Sequence, residues 1–283
     1  MAMPTTSPLK QIHAAQRKWA ESTGLAFDER GYVEHYGRNL AKALNATAVL
    51  SFEAGSGNEL TDTAARPAKM RALHSSSALA ANVFDHWLDR PDLILRWLDV
   101  AGQGKGASFE GKLATGLPGV PPNLDLLITR ADGSLVGVES KFTEWLVPAR
   151  GRASPFKEKY FPSDRYLWAE LGLPLCQEAA ERIQSGQLRF HFLNAPQLLK
   201  HALGLASTKC DFELVYLYYD APSSEGEQHA NEAAAFAVTV AEDFPLHVRT
   251  YQQVFANIAS QATAQETEYV SYLRARYFPE VRR

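Results

Sequence analysis

The sequence predicts an α/β or α+β protein: one mixed β-sheet flanked by helices, with helical elaborations at the N- and C-terminal ends. Three observations carry this expectation. Between residues 108 and 142 the apolar pattern changes from helical to extended, in three short runs separated by turn residues. A further apolar, aromatic-rich run at residues 212–219 reads as a strand inside the sheet. Around these runs, apolar side chains recur at helical spacing. No linker is long or polar enough to split the chain, and no fixed-period repeat is present, so one domain over residues 1–283 is expected.

In chain order, residues 9–21 and 34–44 carry mixed i, i+3, i+4 spacing and predict helices. Residues 48–52 read as a short strand ending at the Gly55-Ser56-Gly57 turn. Ser75, Ser76 and Ser77 offer N-caps for a helix over 78–89, which Arg90-Pro91 interrupts before a second helical stretch at 92–100. Glycines 102, 104 and 106 then read as a flexible connector. Strands are predicted over 108–113, 124–129 and 135–142, joined by residues 117–122 and by the 130–134 turn with its Asp132-Gly133 pair. Helices follow over 165–171 and 175–184, then one capped by Asn194 with Pro196 in its first turn, running to about Leu205. The strand at 212–219 comes next; two or three helices and a short strand near 246–250 complete the chain.

Composition bounds the function classes. The balance of 29 Lys+Arg against 32 Asp+Glu, net −3, excludes a polyanion binder held by bulk charge, though not a local basic groove. Cys176 and Cys210 are too few for a disulfide framework or a thiolate zinc site; both read as small core residues in a reducing compartment. The polar start, with Pro4 and Pro8, does not read as a signal peptide, and no run approaches the roughly 18 apolar residues of a membrane span. A cytoplasmic location is expected. Gly-x-Ser-x-Gly, a Walker loop and His-Glu-x-x-His are all missing from the sequence.

The chemistry-bearing segment is Asn123-Leu-Asp125-Leu-Leu-Ile followed by Gly137-Val-Glu139-Ser-Lys141-Phe. Asp125 and Glu139 lie inside apolar strand sequences, where an ionised carboxylate is costly unless paired or bound to a cation. Glu139 and Lys141 are two apart, so on a strand they share a face. Two carboxylates and an ammonium on one face suit a hard divalent ion, with a cation beside its bound water. The hairpin register tests this. A two-residue Asp132-Gly133 turn pairs Asp125 with Ser140 and turns Glu139 away, whereas a three-residue loop with Gly133 left-handed pairs Asp125 with Glu139. The site therefore predicts an odd-numbered loop or a bulge. A cross-strand salt bridge is the plainer alternative. A second Glu-x-Lys, Glu110-Gly111-Lys112, has as its nearest upstream Asp the helix-end Asp99, so Glu110 is given a supporting role on the neighbouring strand.

An Asp on one strand and Glu-x-Lys on the next resembles the PD-(D/E)xK nuclease superfamily, the restriction-endonuclease-like fold. The resemblance spans about residues 75–220, taken as the catalytic core. Its helix start Leu73–Asn82 and the run Glu139–Glu144 are similar to an uncharacterised bacterial group, some members of which are described as restriction endonucleases. Leu124 stands where the superfamily motif often has Pro. The resemblance implies Asp125, Glu139 and Lys141 as catalytic residues. It implies one or two Mg²⁺ ions, with Mn²⁺ as substitute, held by Asp125, Glu139, the Ser140 carbonyl and Glu110. Lys141 would orient or deprotonate the attacking water. DNA is the implied substrate, no membrane is involved, and a homodimer is one way to cut both strands.

Supporting residues are read around this set. Asn82 and Asp85 are candidates on the preceding helix. On the helix after Asn194, Gln197, Lys200 and His201 share one side, and Gln197 is preferred over His201. Lys157, Lys159 and Arg165 interleave with Phe156, Tyr160 and Tyr166, a mixture suited to phosphate contact and base stacking, or to an ordinary solvated loop. His74 with its serines reads as a cap or a phosphate contact, Glu144 as a helix-end acid, and Arg274, Arg276, Arg282 and Arg283 as a solvated tail. A non-catalytic nucleic-acid or protein-binding module that kept this fold is the competing function.

Overall fold

The computed structural model describes residues 7–55, 57–147 and 155–279; Ser56, Arg282 and Arg283 lie outside the described residues. Its centre is a five-stranded sheet in the order β1-β2-β3-β4-β5, made of β1 (Gly104–Lys112), β2 (Asn123–Arg130), β3 (Leu135–Lys141), β4 (Phe212–Tyr218) and β5 (Leu246–Thr250). β1 to β3 form an antiparallel meander, whereas β3, β4 and β5 run parallel. Parallel neighbours need a crossover. Between β3 and β4 the chain runs through α5 (Pro174–Gln184) and α6 (Ala195–Ala206); between β4 and β5 it runs through α7 (Ser224–Thr239).

Two apolar layers cover the sheet. Leu126, Ile128, Val136, Val138, Val215 and Leu217 face one core together with side chains of α2 (Ala46–Ala54), α3 (Ser76–Phe84), α4 (Pro91–Trp97), α8 (Tyr251–Gln261) and α9 (Thr267–Tyr277). Leu124, Leu135, Leu214, Tyr216 and Tyr218 face the other, with α5, α6 and α7. This is the mixed α/β architecture expected, with helices added at both ends. The first helix, α1 (Pro8–Ser22), is tied to the last: Gln16 donates to the Arg276 carbonyl at 2.9 Å. Arg276 is therefore no tail residue. It is 2% exposed and donates to the Asn39 carbonyl at 2.7 Å, knitting the two ends together.

Several local expectations are corrected. Residues 48–52 belong to α2: Asn45 accepts from the Ala48 amide at 2.7 Å, and that cap outweighs the β-leaning Val-Leu-Ser-Phe run. The supposed Gly-rich connector is the start of β1, where Gly104 packs so close to Pro91 that a Cβ would sit 2.7 Å from it. Only Tyr36–Asn39 and Ala169–Leu171 wind, as single 3₁₀ turns, in the segments read as helices over 34–44 and 165–171. The helix at 78–89 stops at Phe84 and tightens to 3₁₀ over Asp85–Trp87. Ser75 does cap it, accepting from the Ala78 amide, whereas Asn194 makes no cap bond on α6. Cys176 is buried, but Cys210 is exposed, because it follows the end of α6 in a surface turn. Among the described residues no helix is long and apolar enough to cross a membrane.

Candidate active site

The β2–β3 hairpin decides which side chains meet. Its ladder pairs Leu126 with Val138, Leu127 with Gly137, Ile128 with Val136 and Thr129 with Leu135. The Arg130 amide donates to the Ser134 carbonyl at 2.9 Å, closing a three-residue loop in which Gly133 is left-handed, φ +88°. The loop is the odd-numbered one. Continued to the strand ends, this register sets Asp125 opposite Glu139, although Leu124 and Leu126, two apart, face opposite cores, so the pleat of β2 turns at Asp125. The β1–β2 ladder, with Phe109 on Leu126 and Gly111 on Leu124, likewise sets Glu110 opposite Asp125. Three carboxylates thus occupy one level across three adjacent strands.

Local backbone choices tune that level. Glu110 takes φ +52°, a conformation that disfavours side chains and that no other residue of the five strands adopts, glycines included. Its Oε2 accepts from the Asn123 amide at 2.5 Å, beside Gly55, where a Cβ would lie only 2.8 Å from that oxygen. Gly111 has no room for a side chain either, since a Cβ there would sit 2.7 Å from the Leu127 Cβ. Asp125 Oδ2 accepts from the Ser140 amide at 2.6 Å. The carbonyl of Ser140 lies on the same strand edge as its amide, hence beside Asp125. From behind, the Ser140 hydroxyl pairs with the Tyr251 hydroxyl at 2.6 Å.

Glu139 is 1% exposed. Its Oε1 accepts from the Lys141 ammonium. Its Oε2 lies 2.7 Å from His201 Nε2 of α6, a contact without hydrogen-bond alignment, so that oxygen has no hydrogen-bond partner. Burial pushes the Glu139 carboxyl up, but Lys141 and His201 outweigh it and hold it down at about 2. Asp125 goes the other way: burial, reinforced by the negative charge of Glu139, raises its carboxyl well above the usual range. Glu110 is also raised, by burial first and by Glu59 among its neighbours. For Lys141, burial favours the neutral amine, yet Glu139 and Asp125 keep the ammonium charged. Two acids one strand apart are thus driven in opposite directions by their surroundings.

Four of the sequence candidates, Asp125, Glu139, Ser140 and Lys141, are joined directly, and Glu110 adjoins them through the β1 register. Three are not brought in. Asn82 is buried with its amide spent on the Asn39 carbonyl and the Tyr277 hydroxyl, at 3.1 and 3.0 Å, and its oxygen on the Ala41 amide. It staples α3 to its neighbours, and every polar atom of its side chain is spent on them. Asp85 similarly accepts from the Asn45 amide. Gln197 accepts from Asn194 at 3.0 Å, and it is His201, one turn on, that reaches Glu139. The signal for His201 was a polar residue among Leu198, Ala202 and Leu205 on the buried side of α6. Lys159 bonds the Pro118 carbonyl in the loop between β1 and β2. Lys112 is bonded to the Ala54 carbonyl, and Lys69 lies 2.9 Å from Glu59, which pairs its charge. Glu144 accepts from the Phe142 and Thr143 amides and closes the turn after β3.

The donor set suits a hard divalent cation: carboxylate and carbonyl oxygens, with one buried carboxylate oxygen lacking a partner. Among the described residues no group of three or more Asp, Glu, His or Cys side chains is placed to hold a metal ion by itself. An ion here would take its remaining ligands from backbone and water, as Mg²⁺ does. No match was found among curated proteins, and none among solved structures. A family model does match, over residues 11–278, and so extends beyond the 75–220 core into both terminal regions. The chain belongs to the family of restriction endonucleases associating with ARP.

Proposed function

We propose that this protein is a metal-dependent endonuclease of the PD-(D/E)xK type that hydrolyses DNA phosphodiester bonds in restriction or defence. The observation that carries the reading is the register of Asp125 opposite Glu139 with Lys141 on the same carboxylate. Asp125 and Glu139 would hold Mg²⁺, or Mn²⁺ in its place, with the Ser140 carbonyl and Glu110 as further oxygen donors. The ion would supply a water of lowered pKa and offset charge gathering at the phosphorus. Lys141 would orient that water and offset charge developing on the phosphoryl oxygens. Lys112, at the end of β1, and Lys159, against the β1–β2 loop, would supply the local positive charge that a protein of net −3 needs in order to engage a polyanion. The family description supports a DNA substrate, and its reference to ARP supports a partner for the enzyme.

Plasmid cleavage with Mg²⁺ tests this. Wild type should nick or linearise DNA, and Asp125→Ala should reduce cleavage to background. Lys141→Ala should slow it by roughly 10²–10⁴-fold, the range for a residue acting on the proton or charge of the reacting group. Cleavage surviving both substitutions would place the site elsewhere. Wild-type protein that binds DNA with Mg²⁺ but never cuts it would instead establish a binding module on a nuclease fold.

A further inference from the structure

Helix α6 packs into the core on the β3–β4 side of the sheet, and its buried side carries Leu198, Ala202 and Leu205. At the same helical spacing sits His201, 2% exposed, with neither ring nitrogen in an aligned hydrogen bond. A buried imidazole with unused nitrogens is costly, and a leucine would suit the same apolar neighbours. What the ring does meet is a single carboxylate: its Nε2 lies 2.7 Å from Glu139 Oε2, and both side chains are 1% exposed. The other oxygen of that carboxylate is taken by Lys141. Glu139 is thus approached from two directions, by its own strand and by a helix entering after a long crossover.

We infer that His201 is a positioning residue for the divalent-ion site, fixing the rotation of the Glu139 carboxylate so that its oxygens are presented to the ion. The inference rests on the nuclease reading above. An isolated Glu side chain rotates about its terminal bond with little preference. Lys141 restrains one oxygen but is flexible itself, being held by four single bonds. The imidazole is a rigid ring on a packed helix, and in its Nε2–H form it has one donor to give Oε2. Partners of this kind, behind the ligands themselves, typically change metal affinity by 10–100-fold when removed. His201 acts through Glu139 and touches no substrate, so its loss should appear in ion binding before any DNA is present.

The test is titration of the purified full-length protein with Mn²⁺ alone, followed by isothermal calorimetry and by the Mn²⁺ electron paramagnetic resonance signal. His201→Leu should weaken Mn²⁺ binding by roughly 10–100-fold while circular dichroism and the melting temperature show an intact fold. His201→Gln keeps a donor and should recover most of the affinity. His247→Leu, which removes a histidine beside a different carboxylate, should leave Mn²⁺ binding unchanged. Equal Mn²⁺ affinity in wild type and a folded His201→Leu overturns the inference and leaves the nuclease reading standing. If His201→Leu does not fold, His201→Gln decides: near-wild-type affinity supports the role, and affinity no better than that of Glu139→Gln overturns it. Wild type that takes up no Mn²⁺ overturns the nuclease reading, and this inference with it.

Discussion

The sheet carries two carboxylates that are each flanked by a base and an imidazole, at opposite ends and on opposite faces. Glu139 meets Lys141 and His201; Glu213, on β4, meets Arg130 and His247 at 2.5 Å each. The kits are nearly the same and the settings are not. Around Glu213 the charges balance, both carboxylate oxygens are hydrogen-bonded, and side-chain exposure of 21–25% for Glu213 and His247 lets water share the load. Around Glu139 two more acids, Asp125 and Glu110, stand close by, and one Glu139 oxygen lacks a hydrogen bond. The first arrangement is what an ion pair looks like when it only has to hold a sheet together. The second crowds carboxyl groups in the interior so that two of them are pushed toward the protonated form, an arrangement that stability alone would not favour.

Substitutions at the two ends should therefore have opposite signatures. The largest effect is on activity: Asp125→Asn should abolish plasmid cleavage while raising stability by about 1 kcal/mol, since it removes one of several crowded buried charges and keeps an acceptor for the Ser140 amide. Chemical denaturation beside a cleavage assay checks both halves, and a destabilised Asp125→Asn would show the acids to be structural. At the other end, Glu213→Ala should cost about 1–3 kcal/mol by leaving Arg130 without its main partner, with cleavage unchanged. The pH dependence should follow the same division. Burial pushes the Glu213 carboxyl up, but hydrogen bonds from His247 and Arg130 outweigh it and bring it below its ordinary value of 4.5. A depressed carboxyl contributes stability that is full above 4.5 and is lost as pH falls through the lower folded value. Denaturation midpoints measured from pH 6 downward should thus fall less steeply in Glu213→Gln than in wild type. The smallest effect belongs to the hairpin that links the two ends. Gly133→Ala, at φ +88°, should cost about 1 kcal/mol and leave cleavage measurable, a shift readable as a lowered melting temperature.

The strands of the meander were legible because period-two alternation and a glycine at a turn are local signals; the register was not, since Asp132-Gly133 fits a two-residue turn as well and only the site chemistry asked for the three-residue loop that is found. Asp125, Glu139 and Lys141 were legible for the same reason: ionisable residues inside apolar strand runs need an explanation, and two neighbouring strands supply one. What the sequence hid is set by distant contacts. His201 reaches Glu139 only because α6 returns across the sheet, and in the sequence it is one polar residue among several on that helix. Asn82 was a candidate because the resemblance implies a supporting residue on the helix before the strands, and its actual partners, Asn39 and Tyr277, lie far from it in sequence. Residues 48–52 turned on a single cap. Arg276 looked like part of a basic tail because its acceptors come from the other end of the chain.

Glu110 has a consequence for how this protein would respond to selection. Its φ of +52° is a conformation that glycine adopts freely and that costs other residues roughly 1–2 kcal/mol. Under selection for heat resistance alone, replacement by glycine would be among the easier gains available on β1, and the price would be the acid opposite Asp125. Variants recovered from such a screen with Glu110→Gly should melt later and cut more slowly. A library sorted first for cleavage and then for heat should keep the glutamate and find its stability elsewhere in the fold.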